Sequence, residues 1–217
     1  MPLFVTLDAV LLTLVNSQLC VALFRREAEP FKNALALPGG FVHEQEDLDA
    51  KAAAARVLAA KVGVVSPYLE EFGTRSGPAR DPRGWSLTVI YYALLPASAL
   101  PETLELFPVD NLPRLAFDHN DIVQGVVERV RNKAGYSSLP VYLCEPEFTI
   151  PELHAVYEAV LGEKMHVAGF RRKLDELHVL EPVPGKTKAI GRNRPAQLFR
   201  VAKPFMNKLS VRERGIS

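Results

Sequence analysis

The strongest local signal in the sequence is a helix start that follows Phe148. Thr149 and Glu152 form a capping box, in which the Thr149 hydroxyl accepts from the Glu152 backbone N–H and the Glu152 carboxylate accepts from the Thr149 backbone N–H. Phe148 and Leu153 have the spacing of the hydrophobic staple that accompanies such a box. Apolar residues then recur at helical spacing as far as Gly162, which is the expected stop. The sequence therefore predicts a helix with a fixed start and one buried face.

A second helix is predicted over residues 166–177. Phe170, Leu174 and Leu177 have helical spacing and form its apolar side. Two small residues beside an arginine let a helix approach another surface closely, and arginine makes bidentate hydrogen bonds to guanine in the DNA major groove. The opposite side of this helix presents that combination: Ala168, Gly169 and Arg172, flanked by Arg171 and Lys173.

Two strands are predicted after this helix, at residues 179–183 and 197–201, and they enclose a basic loop at residues 185–195. Two helices followed by a hairpin with a cationic tip indicate a winged helix-turn-helix, whose loop cations neutralise phosphates. The alternative is that residues 171–173 are only a solvated helix face. The predicted DNA-binding residues are Thr149, Ala168, Arg171, Arg172, Lys173, Lys186, Lys188, Arg192, Asn193 and Arg194.

The net charge of the chain conceals an uneven distribution. The 26 basic and 25 acidic residues give a formal charge of only +1. From Lys186 to the end, however, nine Lys and Arg residues face Glu213 alone, whereas acidic residues concentrate at positions 44–49 and 70–71. Such asymmetry favours a basic C-terminal module that contacts a polyanion such as DNA, with a solvated basic tail as the alternative.

The first two thirds of the chain alternate strands and helices. Residues 4–7, 11–15 and 19–24 are predicted strands, residues 47–62 a helix ended by Gly63, residues 72–85 a loop, residues 87–95 a strand and residues 118–133 a second helix. This pattern is typical of a mixed α/β or α+β fold. We expect two domains, residues 1–140 and residues 141–217, with the change of pattern at about residues 138–146.

Several classes of protein are excluded by composition. The longest apolar stretch, residues 9–15, is too short to cross a bilayer, and the N-terminus has no signal-peptide pattern. Two cysteines exclude a disulfide framework, and the five histidines have no metal-ligand spacing. We therefore expect a cytoplasmic protein with no membrane partner, no bound metal and no cofactor.

A segment between Gly40 and Val64 resembles the Nudix box, G-x5-E-x7-R-E-U-x-E-E-x-G-U with U a bulky aliphatic residue. Residues 40–46 (GFVHEQE) fit its first part, and Arg56, Leu58, Gly63 and Val64 fit its last part. The spacer between them is longer than seven residues. The glutamates that bind divalent cations in working members are replaced by Val57, Ala60 and Lys61. Valine and alanine offer no oxygen ligand to Mg²⁺, so the resemblance implies a Nudix fold without metal-assisted hydrolysis.

The order of the motifs along the whole chain is similar to that of the Nudix-related transcriptional regulators, the NrtR group. The segments that carry this resemblance are the degenerate box, residues 80–86 (RDPRGWS), 115–119 (LAFDH), 148–153 (FTIPEL), 169–173 (GFRRK) and 191–199 (GRNRPAQLF). The resemblance implies a Nudix α/β/α sandwich with a mixed sheet, followed by a winged helix-turn-helix domain. It also implies a bacterial homodimeric repressor of NAD-metabolism genes that binds operator DNA and senses ADP-ribose or a related phosphorylated nucleotide or sugar.

The residues themselves favour a phosphorylated effector. Arg75, Arg80 and Arg83 lie in one predicted loop, and guanidinium groups match phosphate oxygens. The alternative for these arginines is an ion pair with Asp81, Glu70 or Glu71. The predicted effector-binding residues are Arg25, Pro38, Gly39, Gly40, Phe41, Arg75, Arg80, Asp81 and Arg83.

Three functions compete: a ligand-responsive DNA-binding repressor, an active Nudix hydrolase of the ADP-ribose pyrophosphatase type with an appended module, and a non-catalytic scaffold whose winged helix docks protein. Val57, Ala60 and Lys61 count against the hydrolase. The cationic loop counts against the scaffold, since protein-docking surfaces have little use for such a run of positive charge.

Overall fold

The computed structural model describes residues 3–66, 68–189 and 195–211. The first part is a mixed sheet with helices on both faces, composed of β1 (Phe4–Val15), β2 (Gln18–Arg25), β3 (Leu35–Ala36), β4 (Gly39–Phe41), α1 (Ala50–Val57), β5 (Glu70–Gly77), β6 (Ser86–Leu94), β7 (Glu105–Pro108) and α2 (His119–Ala134). The second part consists of β8 (Phe148–Thr149), α3 (Ile150–Leu161), α4 (Val167–Leu177), β9 (Leu180–Lys188) and β10 (Ala196–Val201). Single 3-10 turns lie at Ala97–Ala99, Leu139–Leu143 and Lys203–Phe205.

The sheet of the first part is built around β1. The strand order is β3-β2-β1-β6-β5, with β4 added to β1 and β7 added to β2. β1 is parallel to β6 and antiparallel to β2 and β4, which makes the sheet mixed. Alternate residues of β1 point to opposite faces, so that Leu7, Ala9 and Leu11 pack on the side of α1, whereas Val10 and Leu12 pack on the side of α2. The sheet therefore lies between two helices, as the predicted sandwich requires.

The predicted helix at residues 47–62 is confirmed, with a shorter regular part. Asp49 caps α1 by accepting from the Ala52 backbone N–H. After α1 the segment Leu58–Val62 continues as π-helix and ends at Gly63, whose φ of 65° lies in the left-handed region. Because a π-turn holds an extra residue, it changes the direction in which the following side chains point. This segment contains two of the three positions at which the box departs from the Nudix pattern.

Two predictions for the first part are wrong. Residues 4–7 and 11–15 were predicted as separate strands but belong to one continuous strand, since the intervening Asp8, Ala9 and Val10 are buried in the ladder with β6. The predicted loop at residues 72–85 begins as β5, whose register against β6 shifts between Glu71 and Gly73. Gly73 takes a φ of 150° at this irregularity, so a glycine that suggested a loop is part of a strand.

The second part has the predicted order of helix, helix and hairpin. The capping box is present in full, with Phe148 and Leu153 both buried. β8 joins β10 and β9 in a three-stranded sheet, which completes a winged helix. The hydrophobic core continues from the first sheet through α2, α3 and α4, so the predicted division at residue 140 does not separate two independent cores. In the part of the chain that the structure describes, no helix has the length and apolarity to span a bilayer.

Candidate functional site

A cavity of about 380 Å³ opens beside β4, between the end of α1 and the start of α2. Its size is within the usual range for small-ligand sites. The lining comes from β1, β2, β4, the end of α1 and its π-turn, the start of α2, and the loops between these elements. The lining residues are Thr6, Asp8, Phe24, Arg26, Ala28, Glu29, Leu37, Gly39, Gly40, Phe41, His43, Arg56, Val57, Ala60, Lys61, Arg80, Asp81, Arg83, Phe117 and His119.

A buried carboxylate, Asp8, organises the floor of the cavity. It accepts from the Thr88 hydroxyl at 2.8 Å and lies 3.4 Å from an Arg80 nitrogen. The His119 Nδ1 accepts from the Leu37 backbone N–H at 3.0 Å, which leaves Nε2 to carry a proton toward Asp8 Oδ1 at 3.5 Å. Burial raises the pKa of Asp8, but His119, Thr88 and Arg80 together outweigh it and hold the pKa below its ordinary value. Asp8 is therefore an ionised anchor for the surrounding donors.

The glycine pair of β4 is required by close packing. A Cβ on Gly39 would lie 2.4 Å from Asp8 Oδ1 and 2.7 Å from the Leu7 carbonyl oxygen. A Cβ on Gly40 would lie 3.0 Å from a Val57 methyl carbon. Glycine at position 39 therefore lets the β4 backbone border the cavity while it stays paired with β1, and a side chain at position 40 would require Val57 to shift.

Six of the nine predicted effector-binding residues line this cavity: Gly39, Gly40, Phe41, Arg80, Asp81 and Arg83. Arg80 is ion-paired with Asp118 at 2.9 Å, and Arg83 with Asp81 at 2.7 Å. The predicted alternative, an ion pair with Asp81, is thus realised for Arg83, whereas Arg80 pairs with Asp118, a partner that was not predicted; both arginines still border the cavity. The guanidinium of Arg83 also lies 5.4 Å from the centre of the Phe41 ring.

The other three predicted effector residues lie outside the lining, which corrects their assignment. Arg25 turns to the opposite side of β2, where it pairs with Glu105 at 2.8 Å. Arg75 lies in β5, opposite Thr88 in the ladder with β6. Pro38 is buried, and its carbonyl accepts from the Ala9 backbone N–H.

Three cations that the sequence did not assign to the effector site line the cavity: Arg26, Arg56 and Lys61. Arg26 donates to the carbonyls of Pro30 and Ala28, and its guanidinium lies 4.9 Å from the centre of the Phe117 ring. Lys61 donates to the Gly39 carbonyl at 2.5 Å. Neighbouring residues of a strand point to opposite faces, so a choice between Arg25 and Arg26 required the register of β2, which no local motif supplies.

The cavity does not offer the ligands of a divalent cation. Val57, Ala60 and Lys61 lie at the lining positions that correspond to the Nudix glutamates. Among the described residues, no group of three or more His, Cys, Asp or Glu side chains is placed to hold a metal ion. Two nearby carboxylates already have structural roles, since Asp49 caps α1 and Asp47 pairs with Arg56 at 2.7 Å. The donors present therefore do not fit Mg²⁺.

A second exposed surface is formed by α4. Its apolar side buries Phe170, Leu174 and Leu177 under α3 and the hairpin. Ala168, Arg171, Arg172 and Lys173 are exposed, as predicted for a helix that lies on DNA. Arg172 is directly opposite the buried side, at the helix position that a groove would face.

The hairpin places its described lysines in ion pairs. Lys186 pairs with Glu147 at 2.7 Å and Lys188 pairs with Glu152 at 2.5 Å. Both lysines remain about half exposed. The predicted residues Arg192, Asn193 and Arg194 lie outside the described residues.

Thr149 does not belong to the exposed DNA-binding surface, contrary to the prediction. Thr149 is completely buried, and its hydroxyl and backbone N–H are both used in the capping box with Glu152. Its contribution is to fix the start of α3.

Comparison with known proteins matches both parts of the chain. Residues 140–201 match the model of the NrtR DNA-binding winged helix domain. Over 205 residues the chain is 38% identical to a protein of Acinetobacter baylyi named ADPR responsive transcriptional repressor NtrR, which covers 91% of this chain and 81% of that protein.

Solved structures agree with this match. Shewanella oneidensis NrtR in complex with a 27mer DNA is 36% identical, with a TM-score of 0.85 over 93% of this chain and 94% of that one. The Nudix domain of the same protein in complex with ADP ribose is 37% identical, with a TM-score of 0.55 over 59% of this chain and 89% of that one. The predicted fold, a Nudix domain followed by a winged helix, is thereby confirmed. The chain belongs to the NrtR family of transcriptional regulators.

Proposed function

We propose that this chain is a transcriptional repressor that binds double-stranded operator DNA through its winged helix and senses ADP-ribose in the cavity of its Nudix domain. The main support is similarity, over 91% of this chain, to a repressor named for its response to ADP-ribose. The exposed cationic side of α4 and the cation-rich cavity are the two surfaces that such a protein needs. By the family resemblance, its targets are genes of NAD metabolism, and effector binding weakens DNA binding.

The cavity is suited to binding a pyrophosphate and unsuited to cutting one. Hydrolysis of the Nudix kind requires a cation that polarises the diphosphate and activates water, and the positions of its ligands hold Val57, Ala60 and Lys61. Of the carboxylates near these positions, Asp49 caps α1 and Asp47 pairs with Arg56. We therefore propose a regulator without hydrolase activity and without a resident metal or cofactor.

We further propose a homodimer. Proteins that insert one helix per subunit into the major groove bind palindromic sites as two-fold dimers with half-sites about one helical turn apart. A light-scattering mass of one chain at micromolar concentration would contradict this part of the proposal.

The function is tested by gel shift with the full chain on the DNA upstream of its own gene, with and without ADP-ribose. We expect a discrete complex that random DNA of equal length does not displace, and its loss when ADP-ribose is added. NAD and pentose phosphates serve as competing effector candidates. The same incubation is assayed for AMP in the presence of Mg²⁺ or Mn²⁺.

Each arm has a result that contradicts the proposal. Equal retention of operator and random DNA would remove the role as a specific regulator. A complex that ADP-ribose leaves unchanged would remove ADP-ribose as the effector. Measurable release of AMP would favour the hydrolase instead.

A further inference from the structure

The cations of the cavity divide into two groups by their partners. Arg56, Arg80 and Arg83 are each paired with a carboxylate: Asp47, Asp118 and Asp81 respectively. Arg26 and Lys61 form no ion pair within the described residues and donate to backbone carbonyls. Asp8 and Glu29 also line the cavity, but Arg26 and Lys61 pair with neither, so an anionic ligand can bind these two cations without displacing a carboxylate.

The environment of the Lys61 ammonium is consistent with a cation that has no carboxylate partner. Lys61 is an exposed residue that lines the cavity, and its ammonium lies 6.0 Å from the centre of the Phe24 ring. Partial desolvation lowers the pKa of Lys61, and the positive charge of Arg26 lowers it further. An anion between the two groups would relieve this repulsion. The bond to the Gly39 carbonyl uses one N–H of the ammonium and leaves two for a ligand.

The position of Lys61 in the Nudix pattern indicates what its charge does in the cavity. Lys61 stands where the Nudix pattern has a glutamate, and an ammonium there repels the divalent cation that a glutamate would attract. We infer that Lys61, together with Arg26, supplies the positive charge that neutralises a bound diphosphate, so that this cavity binds its effector without any divalent cation. This inference rests on the proposed function, because it concerns how the proposed effector is held.

The test is calorimetric titration of the full chain with ADP-ribose in EDTA and in Mg²⁺. We expect the same affinity in both buffers, within about twofold. Lys61→Met keeps the length of the stem and removes the charge, and we expect it to weaken ADP-ribose binding about 10- to 100-fold, the range of a hydrogen bond to a charged group. Lys61→Arg should restore most of the affinity. Lys51→Met removes an exposed lysine of α1 that does not line the cavity, and should change nothing.

Adenosine separates a charge effect from a structural one. Because adenosine has no phosphate, its binding should be equal in the wild type and in Lys61→Met. If adenosine and ADP-ribose lose affinity equally in Lys61→Met, the lysine acts only by holding the Gly39 carbonyl, and the inference is overturned. If the wild type binds ADP-ribose only with Mg²⁺, the inference is also overturned, while the proposed function stands.

Inorganic pyrophosphate separates the inference from the choice of effector. If the wild type does not bind ADP-ribose in either buffer, the proposed effector is wrong. Metal-free binding of pyrophosphate that Lys61→Met abolishes would then still support the inference. Absence of pyrophosphate binding in that case would overturn it.

Discussion

Arg172 is the residue from which we expect base recognition. It lies opposite the buried side of α4, beside the small exposed Ala168, so its guanidinium is free to reach a base edge when the helix lies in the major groove. Arg172→Ala should therefore lower the preference for operator over random DNA about 10- to 100-fold, the usual value of one bidentate contact. The measurement is the ratio of the two dissociation constants at one salt concentration.

Lys173 provides the comparison for Arg172, since it flanks the same helix as a point charge. Lys173→Ala should weaken binding to operator and random DNA alike and reduce the dependence of log affinity on log salt by about 0.9. Lys51→Ala, in the other domain, should leave both affinities unchanged. An equal loss of operator and random binding in Arg172→Ala would show that this arginine contacts only phosphate.

At the residue level the sequence predicted the face of α4 better than the cavity. Helical spacing alone separates Arg172 from Phe170 and Leu174, because the period of a helix assigns each residue to a side. Arg26 was missed because its contact with the cavity depends on which face of β2 is turned inward. Asp8 and His119 lie far apart in sequence and meet only through the fold. No local spacing could have paired them.

The hairpin is an element whose charge is partly cancelled inside the protein. Lys186 and Glu147 lie 2.7 Å apart on the surface. Phosphate contact through Lys186 must compete with this pair. Glu147→Gln should therefore raise affinity for any DNA about two- to fivefold, the range of an exposed ion pair, and steepen the salt dependence by up to about 0.9 per lysine released.

The double variant Glu147→Gln/Lys186→Met tests this competition. If the Glu147 carboxylate acts through Lys186, the double variant should have the same DNA affinity as Lys186→Met alone. The salt dependence of binding should also be the same in these two variants. An affinity gain from Glu147→Gln that persists without Lys186 would instead show a general effect of the removed negative charge.

At the level of elements, capped helices were predictable and irregular ones were not. The capping box at Thr149 and the stop at Gly162 each have a local chemical cause, and α3 has those bounds. The π-helical segment after α1 has no such signature, although it carries Lys61. β5 was missed because its glycines resemble those of a loop. The strand that pairs with it, β6, follows after the intervening loop and is not indicated by any local motif in β5.

The whole molecule is connected through α2. Its first residue, His119, borders the cavity, and Asp118 just before it pairs with Arg80. Further along, the apolar side of α2 shares one core with α3 and α4, and the Tyr157 hydroxyl of α3 donates to the Ser137 carbonyl at 3.0 Å. The sequence suggested two domains joined near residue 140, but a shared core is a property of packing that no boundary motif reports.

This continuity predicts how an effector affects DNA binding. A ligand that engages Arg80 alters its pair with Asp118, and the change reaches the start of α2, which packs against α3. Asp118→Asn should keep DNA binding in the absence of ligand but reduce the factor by which ADP-ribose changes DNA affinity, from a typical 5- to 150-fold toward no change. Asp110→Asn, which removes the exposed pair with Arg131 on the same helix, is the matched control and should leave that factor intact.

The coupling between ADP-ribose binding and DNA binding can be measured in either direction. Linkage requires that operator DNA change the affinity for ADP-ribose by the factor by which ADP-ribose changes the affinity for DNA. Titration of ADP-ribose into the free chain and into the chain saturated with operator therefore provides a second measurement, in which Asp118→Asn should bring the two dissociation constants together. If both titrations keep the wild-type ratio, the signal passes from the cavity to the winged helix by a route other than the start of α2.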